Sequence, residues 1–199
     1  KECLQFRTGT QGHMKKLDAG AQIAALVDKE AAIAETIRSQ IVFTRDYQNV
    51  GIQPPDWIGV ADTIAGIRNA LPLGPVTLSV DADNLQIYAD PLIGKVFSNL
   101  IENSLRHGEH VTEIRISYQQ DGDGIRLVYE DNGVGIPENV KEAIFSREYS
   151  RTAGYGMFLI REILSITGLS VRENGTYGNG ARFEIIVPKG SHRFLLPER

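Results

Sequence analysis

The sequence has 199 residues, of which 42% are hydrophobic and 23% are charged, and its formal net charge is -4. This length supports one core with an appended element. The acidic balance and the lack of a basic stripe argue against nucleic acid or an anionic membrane as the main partner. The single cysteine, Cys3, excludes an internal disulfide and a cysteine-based metal site, and it favours a reducing, cytoplasmic compartment.

No membrane contact is expected in this stretch of chain, because no apolar run approaches the roughly 20 residues needed to cross a bilayer. No secretory signal is visible either. Residues 1–11 have no amphipathic period, and Gly12-His13-Met14 resembles a cloning junction. We interpret residues 1–14 as a vector-derived segment, with a native irregular N-terminus as the alternative.

Apolar residues recur at three- and four-residue steps from Leu17 to Tyr47, which predicts a long helix. A lone helix with one apolar stripe needs a partner for that stripe. The partner is either its own domain or another helix. We expect a two-helix hairpin or an intermolecular bundle, and therefore a homo-oligomer formed through residues 17–47.

The patterns downstream alternate pairs of strands with helices. They predict a helix from Asp56, two strands, a helix after Asp90-Pro91, a hairpin, a loop from Asn132 to Tyr155, a helix and a last hairpin. This order indicates an α+β fold, a two-layer sandwich with a mixed, mostly antiparallel sheet and helices on one face. The predicted organisation is a long helix at 15–50, a linker at 51–58, a core domain at 59–190 and a tail at 191–199.

The first polar cluster lies on the helix after Asp90. Asn99, Asn103, Arg106 and His107 share one helical face, because steps of three and four residues stack. Amide carbonyl oxygens are hard ligands that suit Mg²⁺, and a basic residue one turn later can contact phosphate. The alternative is an ordinary solvated helix face.

The second cluster directly follows a predicted strand and contains Asp131, Gly133 and Gly135. Glycines allow tight turns and the close approach of a ligand. A carboxylate at a strand end can accept a hydrogen bond from an amino group such as that of adenine. The alternative is a glycine-rich turn with a capping aspartate.

Two further glycine pairs complete the pattern. Gly154 and Gly156 lie at a loop-to-helix junction, where exposed N–H groups and the helix dipole favour phosphate. Gly178 and Gly180 open the last strand, as a hairpin turn or as a segment facing a nucleotide. Gly-x-x-x-x-Gly-Lys-Ser/Thr does not occur, so a P-loop is excluded.

In this order and spacing the clusters resemble the N, G1 and G2 boxes of the ATP-binding domains of sensor histidine kinases. Their superfamily also holds gyrase, the 90-kDa heat-shock chaperone and the mismatch-repair ATPase. The resemblance covers about Trp57 to Pro188, and Phe145 matches the F box of a mobile ATP lid. Residues 37–51 are further similar to the second dimerisation helix of methanogen-type archaeal histidine kinases.

The resemblance implies an ATP- and Mg²⁺-binding kinase domain at 59–190 that transfers the γ-phosphoryl group to a histidine on a dimerisation helix. It assigns Mg²⁺ to Asn103, supported by Asn99, and phosphate to Arg106 and to Arg147 or Arg151 of the lid. It assigns the adenine amino group to Asp131. The expected nucleotide-binding residues are Asn99, Asn103, Arg106, His107, Asp131, Gly133, Gly135, Ile136, Phe145, Arg151, Gly154, Tyr155, Gly156, Met157 and Phe158.

Two departures from the family pattern bear on function. Ala181 stands where the family often has threonine, so a hydroxyl contact is lost or was never needed. The chain also contains no His-Glu or His-Asp pair, which the family uses as phospho-acceptor and base. We therefore expect that the first dimerisation helix is absent, that residues 15–50 are a remnant dimerisation helix, and that this chain does not phosphorylate itself. The expected partners are a histidine-bearing dimerisation helix and a response regulator.

Two other functions compete with the kinase hypothesis. An ATP hydrolase of the same superfamily needs a carboxylate one turn before the Mg²⁺ asparagine to activate water, and that position is Asn99 here. A nucleotide-gated binding module, or a serine-kinase anti-sigma relative, would use the long helix as its binding surface without phosphoryl transfer.

Overall fold

A long helix and a following α+β region make up the described part of the chain. The computed structural model describes residues 2–195, with the side chains of residues 23–150 and 154–195. The chain forms two compact units, one ending at Thr44 and one beginning at Arg45. Within residues 2–195, no helix combines the length and the apolar character that a membrane crossing requires.

Residues 2–195 contain five helices and eight strands. The helices are α1 (Glu2–Asn49), α2 (Val60–Ala70), α3 (Ile93–His107), α4 (Arg147–Ala153) and α5 (Gly156–Ser165), with 3-10 turns at Glu138–Val140 and Ala143–Phe145. The strands are β1 (Asp56–Gly59), β2 (Thr77–Asp81), β3 (Leu85–Ala89), β4 (Glu113–Asp121), β5 (Gly124–Asp131), β6 (Ser170–Glu173), β7 (Arg182–Val187) and β8 (His192–Phe194).

The strands form two sheets. The larger has the order β2-β4-β5-β7-β6, in which only the β2–β4 pair is parallel. The smaller has the order β1-β3-β8 and is antiparallel throughout. The predicted α+β fold with a mixed, mostly antiparallel sheet is therefore confirmed, whereas the second sheet was not predicted.

Alternation along the strands decides which residues enter the core. Successive strand residues point to opposite faces, so Leu127, Tyr129 and Asp131 of β5 share one face. Leu127 pairs with Ile185 and Tyr129 pairs with Phe183 of β7, and all four are buried. Helix α3 packs against the same face, because Ser104 contacts both Tyr129 and Asp131. The end of β5 therefore lies directly beneath α3.

The other face of the large sheet carries a buried charge network centred on Glu184. Its carboxylate accepts hydrogen bonds from Arg172 at 2.7 Å and from Arg182 at 3.0 Å. Burial alone would raise the pKa of Glu184, but the hydrogen bonds from Arg172, Arg182 and Asn174 lower it below its ordinary value. Glu184 thus stays ionised and ties β6 to β7.

Three predicted elements differ from the structure. The helix predicted from Asp56 is wrong at its start: residues 56–59 form β1, paired with β3, and α2 begins at Val60. The loop predicted from Asn132 to Tyr155 contains helix α4. The predicted tail at 191–199 contains β8, which pairs with β3. Pairing with β3 fixes β1 and β8, and such short strands carry too few residues to show a period.

Helix α1 is longer than its amphipathic pattern, since it begins at Glu2 instead of Leu17. The structure does not describe residue 1 or the side chains of residues 2–22. The side chains of the segment interpreted as vector-derived, residues 1–14, therefore lie outside the described part.

The last turn of α1 contacts the helices that follow it in the second unit. Asp46 is buried and forms an ion pair with Lys95 of α3 at 2.9 Å. Tyr47 stacks on Phe158 of α5, with ring centroids 5.9 Å apart. Residues 45–49 are thus joined to both α3 and α5 by side-chain contacts.

Candidate functional site

A buried carboxylate at the end of β5 organises the candidate site. Asp131 is 9% exposed. Its Oδ1 accepts hydrogen bonds from the backbone N–H of Gly133 at 2.9 Å and of Ala181 at 3.1 Å. Its Oδ2 accepts a hydrogen bond from the hydroxyl of Ser104. Three donors therefore fix the orientation of this side chain.

Glycines around Asp131 let two backbone segments touch. Gly180 has φ +106°, and a Cβ on it would lie 1.9 Å from the carbonyl oxygen of Asp131. Gly135 has φ +74°, and its Cβ would lie 2.7 Å from the carbonyl oxygen of Gly180. The turn after β5 and the turn before β7 can approach this closely only because neither position carries a side chain. The predicted second and fourth clusters are thus one packed unit.

The amide side chains of α3 face the start of α5. Asn99 donates through Nδ2 to the carbonyl oxygen of Gly156 at 3.3 Å. Asn103 donates through Nδ2 to the sulfur of Met157 at 3.0 Å. Both asparagines are half-buried. The structure therefore brings the first and third predicted clusters together.

The basic end of α3 is open to solvent. Arg106 and His107 occupy its last turn and are exposed. Partial burial and the neighbouring charge of Arg106 lower the pKa of His107 below its ordinary value. This shift disfavours the charged form of His107, so the lasting positive charge at this end of the helix is that of Arg106.

The predicted lid is a short helix with its own caps. Ser146 caps α4 by accepting a hydrogen bond from the N–H of Tyr149 at 3.2 Å. Gly154 ends the helix at φ +98°, a conformation that glycine adopts without strain. Arg147 is exposed, and the side chain of Arg151 lies outside the described residues.

The aromatic residues of the predicted set lie in the packing around the site. Phe145 is buried and meets Phe183 edge-on, with centroids 6.3 Å apart. Phe158 is buried beneath the guanidinium of Arg161, 5.6 Å from its ring centroid. Tyr155 and Ile136 are half-buried.

The site also contains Ser104, Tyr129 and the backbone of Ala181, none of which was predicted from the sequence to contact Asp131. Ser104 follows Asn103 directly, and Tyr129 precedes Asp131 by the two residues that place both on one strand face. That spacing was the available signal. At Ala181 the sequence predicted only a missing hydroxyl, whereas its N–H contacts Asp131.

A metal at this site would depend on few protein ligands. No group of three or more histidine, cysteine, aspartate or glutamate residues is arranged to hold an ion among the residues described here. Mg²⁺ usually keeps waters and substrate phosphates as ligands and takes only one or two from the protein. A single protein ligand, the amide oxygen of Asn103, fits this mode of Mg²⁺ binding.

Comparison with known proteins agrees with this geometry. The model of the family "Histidine kinase-, DNA gyrase B-, and HSP90-like ATPase" matches residues 89–191. The alginate biosynthesis sensor protein KinB of Pseudomonas aeruginosa is 33% identical over 123 residues, which are 59% of this chain and 20% of that protein. The sensor protein KdpD of Escherichia coli is 26% identical over 145 residues, 67% of this chain and 16% of that protein.

Solved structures share the fold. Full-length ShkA in complex with AMPPNP superposes with a TM-score of 0.63 at 17% identity, covering 79% of this chain and 37% of that one. The ATP binding domain of PrrB from Mycobacterium tuberculosis gives a TM-score of 0.56 at 21% identity, covering 70% of this chain and 100% of that one. At these identities the likeness concerns the fold alone.

Replacing Gly180 by alanine should disrupt the contact between the two turns. Gly180→Ala combines a positive φ with a clash against the Asp131 carbonyl, whereas Gly178→Ala, at φ +93°, has nothing within 4 Å. We expect Gly180→Ala to lower the free energy of unfolding by about 1–3 kcal/mol more than Gly178→Ala. Urea denaturation measures both; equal losses would show that the close approach does not matter.

Proposed function

This chain belongs to the family of histidine kinase-, DNA gyrase B- and HSP90-like ATPases, and from that premise we propose that it supplies the ATP-binding step of a histidine kinase. In this proposal it binds ATP with Mg²⁺ and presents the γ-phosphoryl group to a histidine on a dimerisation helix. The aligned part of this chain spans only 20% and 16% of two sensor proteins that it matches. In this proposal the acceptor histidine is supplied by a separate dimerisation helix.

The observation that carries the proposal is the buried Asp131 carboxylate. Three donors hold it, and a carboxylate offers about four acceptor positions. The remaining position suits an amino group, and the exocyclic amine of adenine provides one. The adenine would therefore lie over the turn formed by Gly133 and Gly135, with Ile136 at its margin.

The phosphates would lie between α3 and the start of α5. Asn99 and Asn103 face Gly156 and Met157 there, and the N–H groups at the start of α5 are suitable phosphate donors. Arg106 would add positive charge from the end of α3. Gly154 and Tyr155 would set the angle at which the lid helix α4 meets this segment, and Arg147 or Arg151 would reach the phosphates from α4.

Mg²⁺, when bound, would be held by Asn103 and would neutralise charge on the phosphates of the nucleotide. The chain's own part is positioning. Helix α3 supplies the amide oxygen and Arg106, and α5 supplies backbone N–H groups. Phe145 and Phe158 support these elements from below through their buried rings.

The chain alone is proposed not to phosphorylate itself, since none of its four histidines is followed by an acidic residue. The proposed organisation is a dimerisation helix at 15–50, a linker at 51–58 and the ATP-binding domain at 59–190. The similarity of residues 37–51 to methanogen-type archaeal kinases suits a helix that continues to Asn49. A response regulator would then receive the phosphoryl group from the histidine.

Titration calorimetry with ATP, with and without Mg²⁺, tests the proposal. Asp131→Asn keeps an acceptor for the backbone donors but offers N–H groups to the base, so we expect at least about tenfold weaker ATP binding. Asn103→Ala should remove the gain in affinity that Mg²⁺ gives. Asp123→Ala, in the exposed turn at the opposite end of β5, serves as control and should bind normally. Normal ATP binding by Asp131→Asn would contradict the assignment.

An ATP hydrolase is the alternative, and phosphate release distinguishes it from a kinase domain. Helix α3 offers an amide at Asn99 where a hydrolase needs a base, while Glu102 is exposed about 100° around the helix. We expect wild-type protein with saturating ATP and Mg²⁺ to release phosphate no faster than Asn103→Ala. Steady turnover that Asn103→Ala abolishes would favour the hydrolase.

Self-association through α1 is proposed from its apolar stripe. Ile23, Leu26, Ile37 and Ile41 share one helix face and are 52–65% exposed. A second copy would cover them. Ile37→Lys should lower the weight-average mass in light scattering across a concentration series, whereas Ser39→Lys on the opposite face should not. A wild-type monomer at every concentration would defeat this proposal.

A further inference from the structure

Two buried hydroxyl groups form a chain that ends on the Asp131 carboxylate. The hydroxyl of Tyr129 lies 2.8 Å from that of Ser104, and Ser104 in turn bonds to Oδ2 of Asp131. Tyr129 is 1% exposed and Ser104 is 4% exposed. Neither residue was predicted from the sequence to belong to the site, and both lie beneath the position proposed for the base.

The direction of the hydrogen bonds follows from the number of protons available. An ionised carboxylate only accepts, so the single proton of Ser104 must point to Asp131. The oxygen of Ser104 then accepts the proton of Tyr129. Burial raises the pKa of Tyr129 far above its ordinary value, so Tyr129 remains a donor. The order of donation is Tyr129 to Ser104 to Asp131.

We propose that Ser104, oriented by Tyr129, is a specificity-determining residue that makes Asp131 select purines with an amino group at C6. The inference rests on the proposed function, because it concerns the same nucleobase position. The two backbone N–H groups occupy Oδ1, and the Ser104 hydroxyl occupies one of the acceptor positions of Oδ2. One position of Oδ2 remains, with its direction fixed.

The fixed position favours a donor and disfavours an acceptor. An exocyclic amine placed there completes the carboxylate, whereas a ring carbonyl placed there leaves two acceptors facing each other across a buried site. Without the Ser104 hydroxyl, Oδ2 has two open positions and water can satisfy either. The carboxylate then loses its preorganisation for the amino group, although its charge is unchanged.

The experiment compares ATP with the triphosphate of unsubstituted purine riboside, which differs only by lacking the amino group. Dissociation constants are measured by calorimetry for wild type, Ser104→Ala and Ser104→Thr. We expect Ser104→Ala to weaken ATP binding about tenfold and binding of the analogue less than about twofold, so the preference for ATP collapses. Ser104→Thr keeps the hydroxyl and should restore the preference.

Two more variants separate positioning from folding. Ser98→Ala removes a hydroxyl of the same helix that donates to the Lys95 carbonyl at 3.3 Å, and it should leave both constants unchanged. Tyr129→Phe removes only the first donor, so the preference should fall by about threefold. It also provides the test if Ser104→Ala does not fold.

The outcomes are distinguishable from a failure of the proposed function. If wild type does not bind ATP, the proposed function fails and this inference with it. If wild type binds ATP through Asp131, but Ser104→Ala or Tyr129→Phe weakens both nucleotides by the same factor or neither of them, the inference alone is overturned.

Discussion

The hydrogen bonds to Asp131 are the interaction on which the rest of the site depends. They join the end of β5 and the adjoining turn at Gly133 to two elements that are distant in sequence, Ala181 just before β7 and helix α3 at Ser104. A buried carboxylate costs several kcal/mol unless donors surround it, so these elements must meet for the fold to tolerate the charge. The same requirement leaves one acceptor position directed at a ligand. The Asp131 carboxylate thus contributes both to the stability of the fold and to the proposed recognition of the base.

Helices α3 and α5 extend this arrangement towards the phosphates and towards α1. Asn99 and Asn103 link α3 to the start of α5, and Lys95, one turn before Asn99, pairs with Asp46 at the end of α1. Tyr47 stacks on Phe158, two residues beyond Gly156. Asp46 and Tyr47 therefore contact the two helices that carry the proposed phosphate site.

The sequence predicted those parts of the fold and site whose signal is local. The stripe of α3, the Asp121–Gly124 turn between β4 and β5 and the glycine clusters each arise from residues that are neighbours in the chain. Strands β1 and β8 were not predicted, because pairing with β3 determines them. Helix α4 was not predicted, because its polar sequence shows no apolar stripe. Its N-cap residue, Ser146, was the one local signal for a helix start.

The parts of the site that were not predicted from the sequence also depend on residues that are distant in the chain. The carboxylate at Asp131 could be predicted as a ligand-facing group from its position after a strand. The donors that orient it could not, because Ser104 lies 27 residues away and Ala181 lies 50 residues away. Only the packing of α3 on β5, and of one glycine turn against the other, brings those donors to the carboxylate. The roles of Ser104, Tyr129 and the Ala181 backbone are therefore properties of the tertiary structure.

The most direct test of this account is a crystal structure of the chain with Mg²⁺ and a non-hydrolysable ATP analogue. The account predicts the adenine amino group within hydrogen-bond distance of Oδ2 of Asp131 and the metal on the side-chain oxygen of Asn103. The phosphates should lie against the start of α5. A nucleotide bound elsewhere, or bound here with its amino group directed away from Asp131, would contradict it.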